Sequence, residues 1–168
     1  MNGSALLAEA RSVGVNADTR LKFHHAIQAE RDAMGSVQFT LLLIKSFAQS
    51  RQANALQDIV EIVAHSGLRV VCARTVSFSR MDALRLAIIS VQENGLQLDM
   101  QQHAAMLESL LAGPAEALIV AGDEAVTRLK HLLGPDDPVN AKQMHPASLR
   151  ARYGGDRLLH NGLHCSGL

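Results

Sequence analysis

The residues able to do nucleophilic or metal chemistry are few: eight histidines and two cysteines. His160 and His164 stand four apart with Cys165 adjacent, and His24 and His25 are neighbours near the N-terminus. Ligands four apart come within reach of one metal only on a helix; on a strand they share a face but stand about 13 Å apart. The segment around His160 reads as strand or loop, and zinc needs a converging tetrahedral set, so no metal site is expected. Cys72 lies in an apolar run and Cys165 near the end of the chain. Two cysteines are too few for a disulfide framework, and they point to a reducing compartment, the cytosol or a structure within it. GxxxxGK[ST], GxGxxG and GxSxG are all missing from the sequence, so Walker-type and Rossmann-type phosphate loops and a serine elbow have no support. Lys45 and Arg150 are cations with acids elsewhere in the chain, Asp136, Asp137 and Asp156, that could pair with them. Exposed pairs of that kind carry little energy.

Composition narrows the class. The 168 residues are 48% apolar, with 16 Lys+Arg against 16 Asp+Glu, which is the profile of roughly one folded domain rather than a disordered chain. Zero net charge, no basic run and 3% aromatic content remove the electrostatic and stacking terms that nucleic-acid binding needs. The longest apolar stretches, Phe39 to Ile44 and Ala115 to Ala121, are far short of a membrane span. The first residues lack a basic region followed by an apolar one, and they include Glu9 and Asp18, so neither an export signal nor a mitochondrial presequence is expected.

Residues 1 to about 36 form an Ala-rich arm in which two helices are expected. One starts at Ser4; the other runs from about Asp18 to Ala33 with Leu21, His25 and Ile27 on one face. Such an arm is a docking element or a packed extension. Val37 to Ile44 is apolar and of strand length, and Leu56, Ile59, Val60 and Val63 give a helical stripe ending at Gly67. Leu68 to Val76 reads as a second strand, and Ser79 with Asp82 opens a helix through Ile89. A helix over about 100 to 112 ends at Gly113-Pro114, ahead of a strand at Ala115 to Val120. Asp123 is the expected N-cap of a helix whose Val126, Leu129 and Leu133 face inward and which Gly134-Pro135 stops. Asp136 to Gly155 reads as loop, and a last strand is expected around Leu158 to His164. This interleaving is of the α/β class. It suits an antiparallel sheet with helices on one side, the split βαβ or ferredoxin-like arrangement, at least as well as a parallel sheet.

Pro146-Ala-Ser-Leu-Arg150 and Asn161-Gly-Leu-His164-Cys-Ser166-Gly resemble, in order, the Pro-x-(Ser/Thr)-(Leu/Ile)-Arg and Asn-x-x-His-Gly-Ser-Asp segments of the nucleoside diphosphate kinase family. Upstream, LLLIKSFAQS is similar to that family's first strand and Ile-Lys-Pro, and LLAGPAEALIV to its Ser-Gly-Pro and following strand. The resemblance covers about residues 37 to 168. The wording AKxxHPxSLRAxYGxD, from Ala141 to Asp156, is most similar to the divergent cilium- and flagellum-associated branch, the type found in radial spokes of the axoneme.

The resemblance implies a ferredoxin-like four-stranded antiparallel sheet of the α+β kind with covering helices, residues 37–168, carrying a helical N-terminal extension, residues 1–36. It implies His164 as the phosphate-accepting nucleophile of a ping-pong transfer. Lys45 and Arg150 would neutralise phosphate charge, Lys130 would stand in a family arginine's place without its bidentate fork, and Asn161 would bond sugar or phosphate. ATP or another nucleotide would be the ligand, with Mg2+ travelling on it and no metal held by the protein itself. Departures from the pattern are Ala87 for a tyrosine, Gln102 or His103 for the base-stacking phenylalanine, and Cys165-Ser166-Gly167 for Gly-Ser-Asp; the family's terminal helix does not follow. Segments through which family enzymes form hexamers are changed, so a monomer or a subunit of a larger assembly is expected. Two functions follow from the resemblance. One is a structural or docking subunit among axonemal proteins in the cytoplasm and cytoskeleton, with weak or no catalysis; the other is a working nucleoside diphosphate kinase.

Overall fold

The strand that hydropathy marks most clearly, β1 (Gln38–Ile44), lies inside the sheet: every residue from Phe39 to Ile44 is buried. The computed structural model describes residues 16–34, 37–94, 99–157 and 160–166, with the side chains of 34 and 90–94 excepted. β1 pairs antiparallel with β3 (Ala115–Gly122) on one side and with β4 (Leu163–Cys165) on the other. β2 (Arg69–Val76) pairs antiparallel with β3, with an irregularity between Val70 and Cys72. The order β2-β3-β1-β4 is the ferredoxin-like topology.

Helices cover both faces of this sheet rather than one. Phe39, Leu41, Leu43, Ala117, Ile119 and Ala121 pack in one core cluster with residues of α1 (Ala17–Met34), α4 (Arg80–Asn94) and α5 (Met100–Leu111). Leu42, Ile44, Leu118, Val120 and Leu163 pack in another with α2 (Ser46–Arg51), α3 (Ala55–His65), α6 (Ala125–Leu133) and α8 (Leu149–Tyr153). The cause is visible in β1 and β3. Their apolar residues are continuous rather than alternating, and a one-sided sheet would leave half of them in water.

Local chemistry accounts for the helix bounds. Asn16 Oδ1 accepts the Thr19 N–H at 2.8 Å at the start of α1. The buried stripe of α1 is Thr19, Phe23 and Ile27, while Leu21 and His25, expected on that face, are exposed. Spacing of four keeps 19, 23 and 27 in one line and turns 21 and 25 away. The helix expected from Ser4 lies outside the described residues. Ser79 Oγ accepts the Asp82 N–H at 3.2 Å to open α4, which runs past Ile89 to Asn94. Asp99 and Gln102 form a reciprocal capping box, at 2.7 and 2.9 Å, at the start of α5. Gly67, φ +79°, ends α3 as expected.

Two readings of the second half change. Glu124, not Asp123, occupies the N-cap of α6, with φ 49° in the left-handed region and no side-chain cap bond. The inward face of α6 is Ala125, Leu129 and Leu133, with Val126 only half-buried. The stretch 136–155, expected as loop, contains α7 (Pro138–Met144) and α8. Asp137 caps α7 through the Val139 N–H at 2.9 Å, and Ser148 caps α8 through the Ala151 N–H at 3.3 Å. Asp-Pro and Ser are turn signals that also start helices, and helices this short show no periodicity to tell the two apart. The last strand covers only Leu163–Cys165; residues 158 and 159 lie outside the described part.

Candidate active site

The site gathers at the β4 edge. His164 is directly opposite Leu43 and so shares the face of Leu43, while Leu163 and Cys165 pair with Ile44 and Leu42 and share the other core. Alternation along a strand thus separates His164 from its two neighbours. Cys165 is extended strand, buried beside Leu42, so its Cβ is accommodated in the core. Ser166 closes the strand. Its N–H donates to the Leu41 carbonyl at 3.0 Å, and its hydroxyl lies 3.1 Å from that of Thr40.

Lys45 follows β1 directly, at the N-cap of α2, and its N–H donates to the Gly162 carbonyl at 2.9 Å. Lys45, Arg150 and His164 are only 6%, 5% and 7% exposed. The Arg150 guanidinium is spread over three acceptors. Its Nη2 is 2.7 Å from Asp136 Oδ1, its Nη1 donates to the Gly134 carbonyl at 2.5 Å, and its Nε to the Leu163 carbonyl at 3.5 Å. Gly134 has φ +75°, and a Cβ there would sit 2.6 Å from Ser148, so the turn that presents this carbonyl requires glycine.

These charges tune one another. Burial, with the positive charges of Lys45 and Arg150 adding, pushes the His164 imidazole down to about 3. It is therefore neutral at pH 7, the form with a nucleophilic lone pair. Burial also pushes Lys45 down, to about 8, with Arg150 adding and Asp136 opposing. Nε2 of His164 is buried and takes no hydrogen bond, while the residue as a whole has further partners of its own.

Asn161 binds the protein at both ends of its amide. Nδ2 donates to the Asp136 carbonyl at 3.0 Å, and Oδ1 accepts the Leu163 N–H at 3.1 Å. It shapes the turn into β4. Lys130 is on the exposed side of α6. Of the acids weighed as partners, Asp136 takes Arg150, Asp137 caps α7, and Asp156 pairs with His160 Nδ1 at 3.1 Å. The Arg150 pair is buried on one side, unlike the solvated pairs that sequence alone suggests.

Beside this cluster, a cavity of about 350 Å3 is lined by Phe47, Ala105, Glu108, Ser109, Ala112, Arg157 and His160. Phe47 and His160 stack there at 4.8 Å between ring centroids, 24° from parallel. This aromatic wall is the feature sequence reasoning missed. Nothing in the spacing of residues 47 and 160 joins them; only the tie between the start of α2 and the turn before β4 does. Ala87, a residue of α4, is buried in the core, and His103 is exposed with Nδ1 2.8 Å from the Asp99 carbonyl. Among the described residues no group of three His, Cys, Asp or Glu side chains is placed to hold a metal, and no helix is long and apolar enough to cross a membrane.

A ferredoxin-like sheet with helices on both faces, and basic side chains gathered about an imidazole at its β4 edge, is the architecture of the nucleoside-diphosphate-kinase-like proteins. The chain belongs to the nucleoside diphosphate kinase family, whose pattern matches residues 38–168. It is 32% identical over 130 residues to nucleoside diphosphate kinase homolog 5 of Homo sapiens, covering 77% of this chain and 56% of that one. It is 30% identical over 122 residues to thioredoxin domain-containing protein 3 of Homo sapiens, covering 73% and 19%. The chain thus spans about half of the first relative and a fifth of the second. Among solved structures, the Aquifex aeolicus nucleoside diphosphate kinase superposes with a TM-score of 0.66 at 22% identity, over 79% of this chain and 87% of that one. The Halobacterium salinarum enzyme, solved in complex with CDP, gives 0.63 at 21%, over 78% of each chain.

Proposed function

We propose that this chain is a nucleoside-diphosphate-kinase-like structural or docking subunit of the ciliary or flagellar axoneme, with weak or no catalysis and a retained affinity for phosphate. The observation that carries it is the state of the nucleoside side of the site. On α5 and the residue that ends it, the wall of the cavity is Ala105, Glu108, Ser109 and Ala112, and His103 is turned to solvent. That side offers a carboxylate and small side chains to a base, and the two rings that do line the cavity, Phe47 and His160, are stacked on each other. The axonemal part of the reading rests on the wording from Ala141 to Asp156 and on the similarity to homolog 5. The division into an extension, 1–36, and a family unit, 37–168, belongs to the same reading and agrees with a family match that begins at residue 38.

The second reading, a working kinase, is favoured by the neutral imidazole of His164 set among Lys45 and Arg150. In that reaction the imidazole lone pair attacks the γ-phosphorus, the N–P bond forms as the bond to the β-phosphate oxygen breaks, and the diphosphate leaves. An acceptor diphosphate then takes the phosphoryl group back by the reverse displacement. Lys45 and Arg150 hold the phosphate oxygens as charge builds. Mg2+, carried in on the nucleotide, would supply further charge neutralisation.

One experiment separates the two. The purified chain is incubated with γ-labelled ATP and Mg2+, quenched in base and assayed for acid-labile label, beside His164→Ala. No label that chases onto added diphosphate supports the structural reading, whereas label lost in His164→Ala and transferred to diphosphate makes this an enzyme. A tagged chain absent from the axoneme of ciliated cells would remove the docking assignment.

A further inference from the structure

Arg150 is the most committed cation of the site. Of its three acceptors, two are backbone carbonyls that help shape the turn at Gly134 and the start of β4, and the third is the Asp136 carboxylate at 2.7 Å. Asp136 is 27% exposed on its side chain against 6% for Arg150, so the pair stands at the mouth of the cluster with the acid outward. The backbone of Asp136 is pinned separately, its carbonyl accepting from Asn161 at 3.0 Å. The carboxylate can therefore swing away without the loop coming loose. Asp136 also acts on Lys45, the other buried cation beside His164, where its charge opposes the effect of Arg150.

We infer that Asp136 is a resident anion that sets the phosphate affinity of this site: its carboxylate occupies the seat on the Arg150 guanidinium that a phosphate group would take, and phosphate binds only by displacing it. A guanidinium N–H donates to a phosphate oxygen as it does to a carboxylate oxygen, and Nη2 is the nitrogen of Arg150 that backbone carbonyls leave to Asp136. An incoming phosphate meets a guanidinium already neutralised and, until the acid moves, a like charge beside it. Both terms lower affinity. With the seat filled, the buried Arg150 guanidinium has an acid beside it without any nucleotide. The inference rests on the reading of Lys45, Arg150 and His164 as a phosphate site, and it adds what regulates that site.

The test measures binding of inorganic tripolyphosphate, which has no base and so bypasses the altered cavity wall. Calorimetry compares the full chain with Asp136→Asn, which removes the charge but leaves an oxygen for Arg150, and with Asp137→Asn, which removes the neighbouring charge. Tightening by about tenfold or more in Asp136→Asn alone is expected. Equal affinity in the unaltered chain and Asp136→Asn overturns the inference while leaving a phosphate site in place. Equal tightening in both variants also overturns it, because net charge then suffices. Binding by none of the three overturns the inference and the phosphate-site reading together. Should Asp136→Asn fail to fold, Asp136→Thr carries the same comparison. The unaltered chain supplies a second readout: the side-chain carboxyl carbon signal of Asp136 moves as tripolyphosphate saturates the protein, and a signal that stays still at saturation overturns displacement.

Discussion

The N–H of Lys45 donates to the carbonyl of Gly162 at 2.9 Å, and this bond ties the end of β1 to the residue two before His164. Gly162 lies so close to α2 that a Cβ on it would stand 2.7 Å from the Ala48 Cβ and 3.1 Å from the Tyr153 carbonyl. Gly162→Ala must push α2 and the β4 turn apart. We expect a loss of about 1–3 kcal/mol in urea unfolding, together with weaker tripolyphosphate binding. An unchanged midpoint would show that the approach is slack.

Arg150 holds the turn at Gly134, the start of β4 and Asp136 at once. Arg150→Met leaves the Asp136 carboxylate without its guanidinium and two carbonyls without a donor, at a cost of about 3 kcal/mol. Arg150→Lys keeps the charge but not the fork, and its cost falls between that and zero. Chemical denaturation of the two variants beside the parent measures both.

Acid destabilises this fold through His164. Its pKa falls from 6.5 when unfolded to about 3 when folded, so between those values the unfolded chain binds the extra proton. Stability is then undiminished above about pH 6.5 and drops as pH falls towards 3, by at most about 1.4 kcal/mol per pH unit for this one proton. His164→Asn should show a shallower slope over that window in thermal melts at a series of pH values. A parallel pair of curves would contradict the buried, neutral imidazole.

Lys45 works in the opposite part of the scale. Lowered from 10.5 to about 8, it is charged in both states below pH 8, where the cost of burying it is fully present. That cost fades as pH rises from 8 to 10.5, because the folded chain sheds its proton first. Anion binding runs the other way, since the charged form is the one that attracts phosphate. Tripolyphosphate affinity should fall above pH 8 in the parent chain and stay flat there in Lys45→Met.

Phe23 of α1 is fully buried in the same core as Phe39 and Leu41, and Glu30 pairs with Arg69 of β2. Phe23→Ala should therefore cost about 3–5 kcal/mol, read by denaturation of the full chain. A cost near zero would mean that the arm rests on the sheet without supporting it.

Much of this protein can be read along the chain. Continuous apolar runs marked β1 and β3, the stripe ending at Gly67 marked α3, the pair Ser79–Asp82 marked the start of α4, and Gly113-Pro114 marked the end of α5. Each signal is local, so the residues that carry it are neighbours on the chain. The ordered motifs around Lys45, Arg150, Asn161 and His164 pointed to the family for the same reason. What the sequence left open was every relation between distant residues. Whether one or both faces of the sheet were covered depended on where each continuous strand sat among its neighbours. Whether Asp136, Asp137 or Asp156 met Arg150 depended on two short helices whose turn-like residues hid them. The stack of Phe47 on His160 joins residues more than a hundred positions apart. Composition and periodicity determine which segments form and which face of each seeks the core; the meeting of a cation, its acid and an imidazole is decided only when strand register and helix packing close the chain upon itself, because burial and charge act through space and not along the chain.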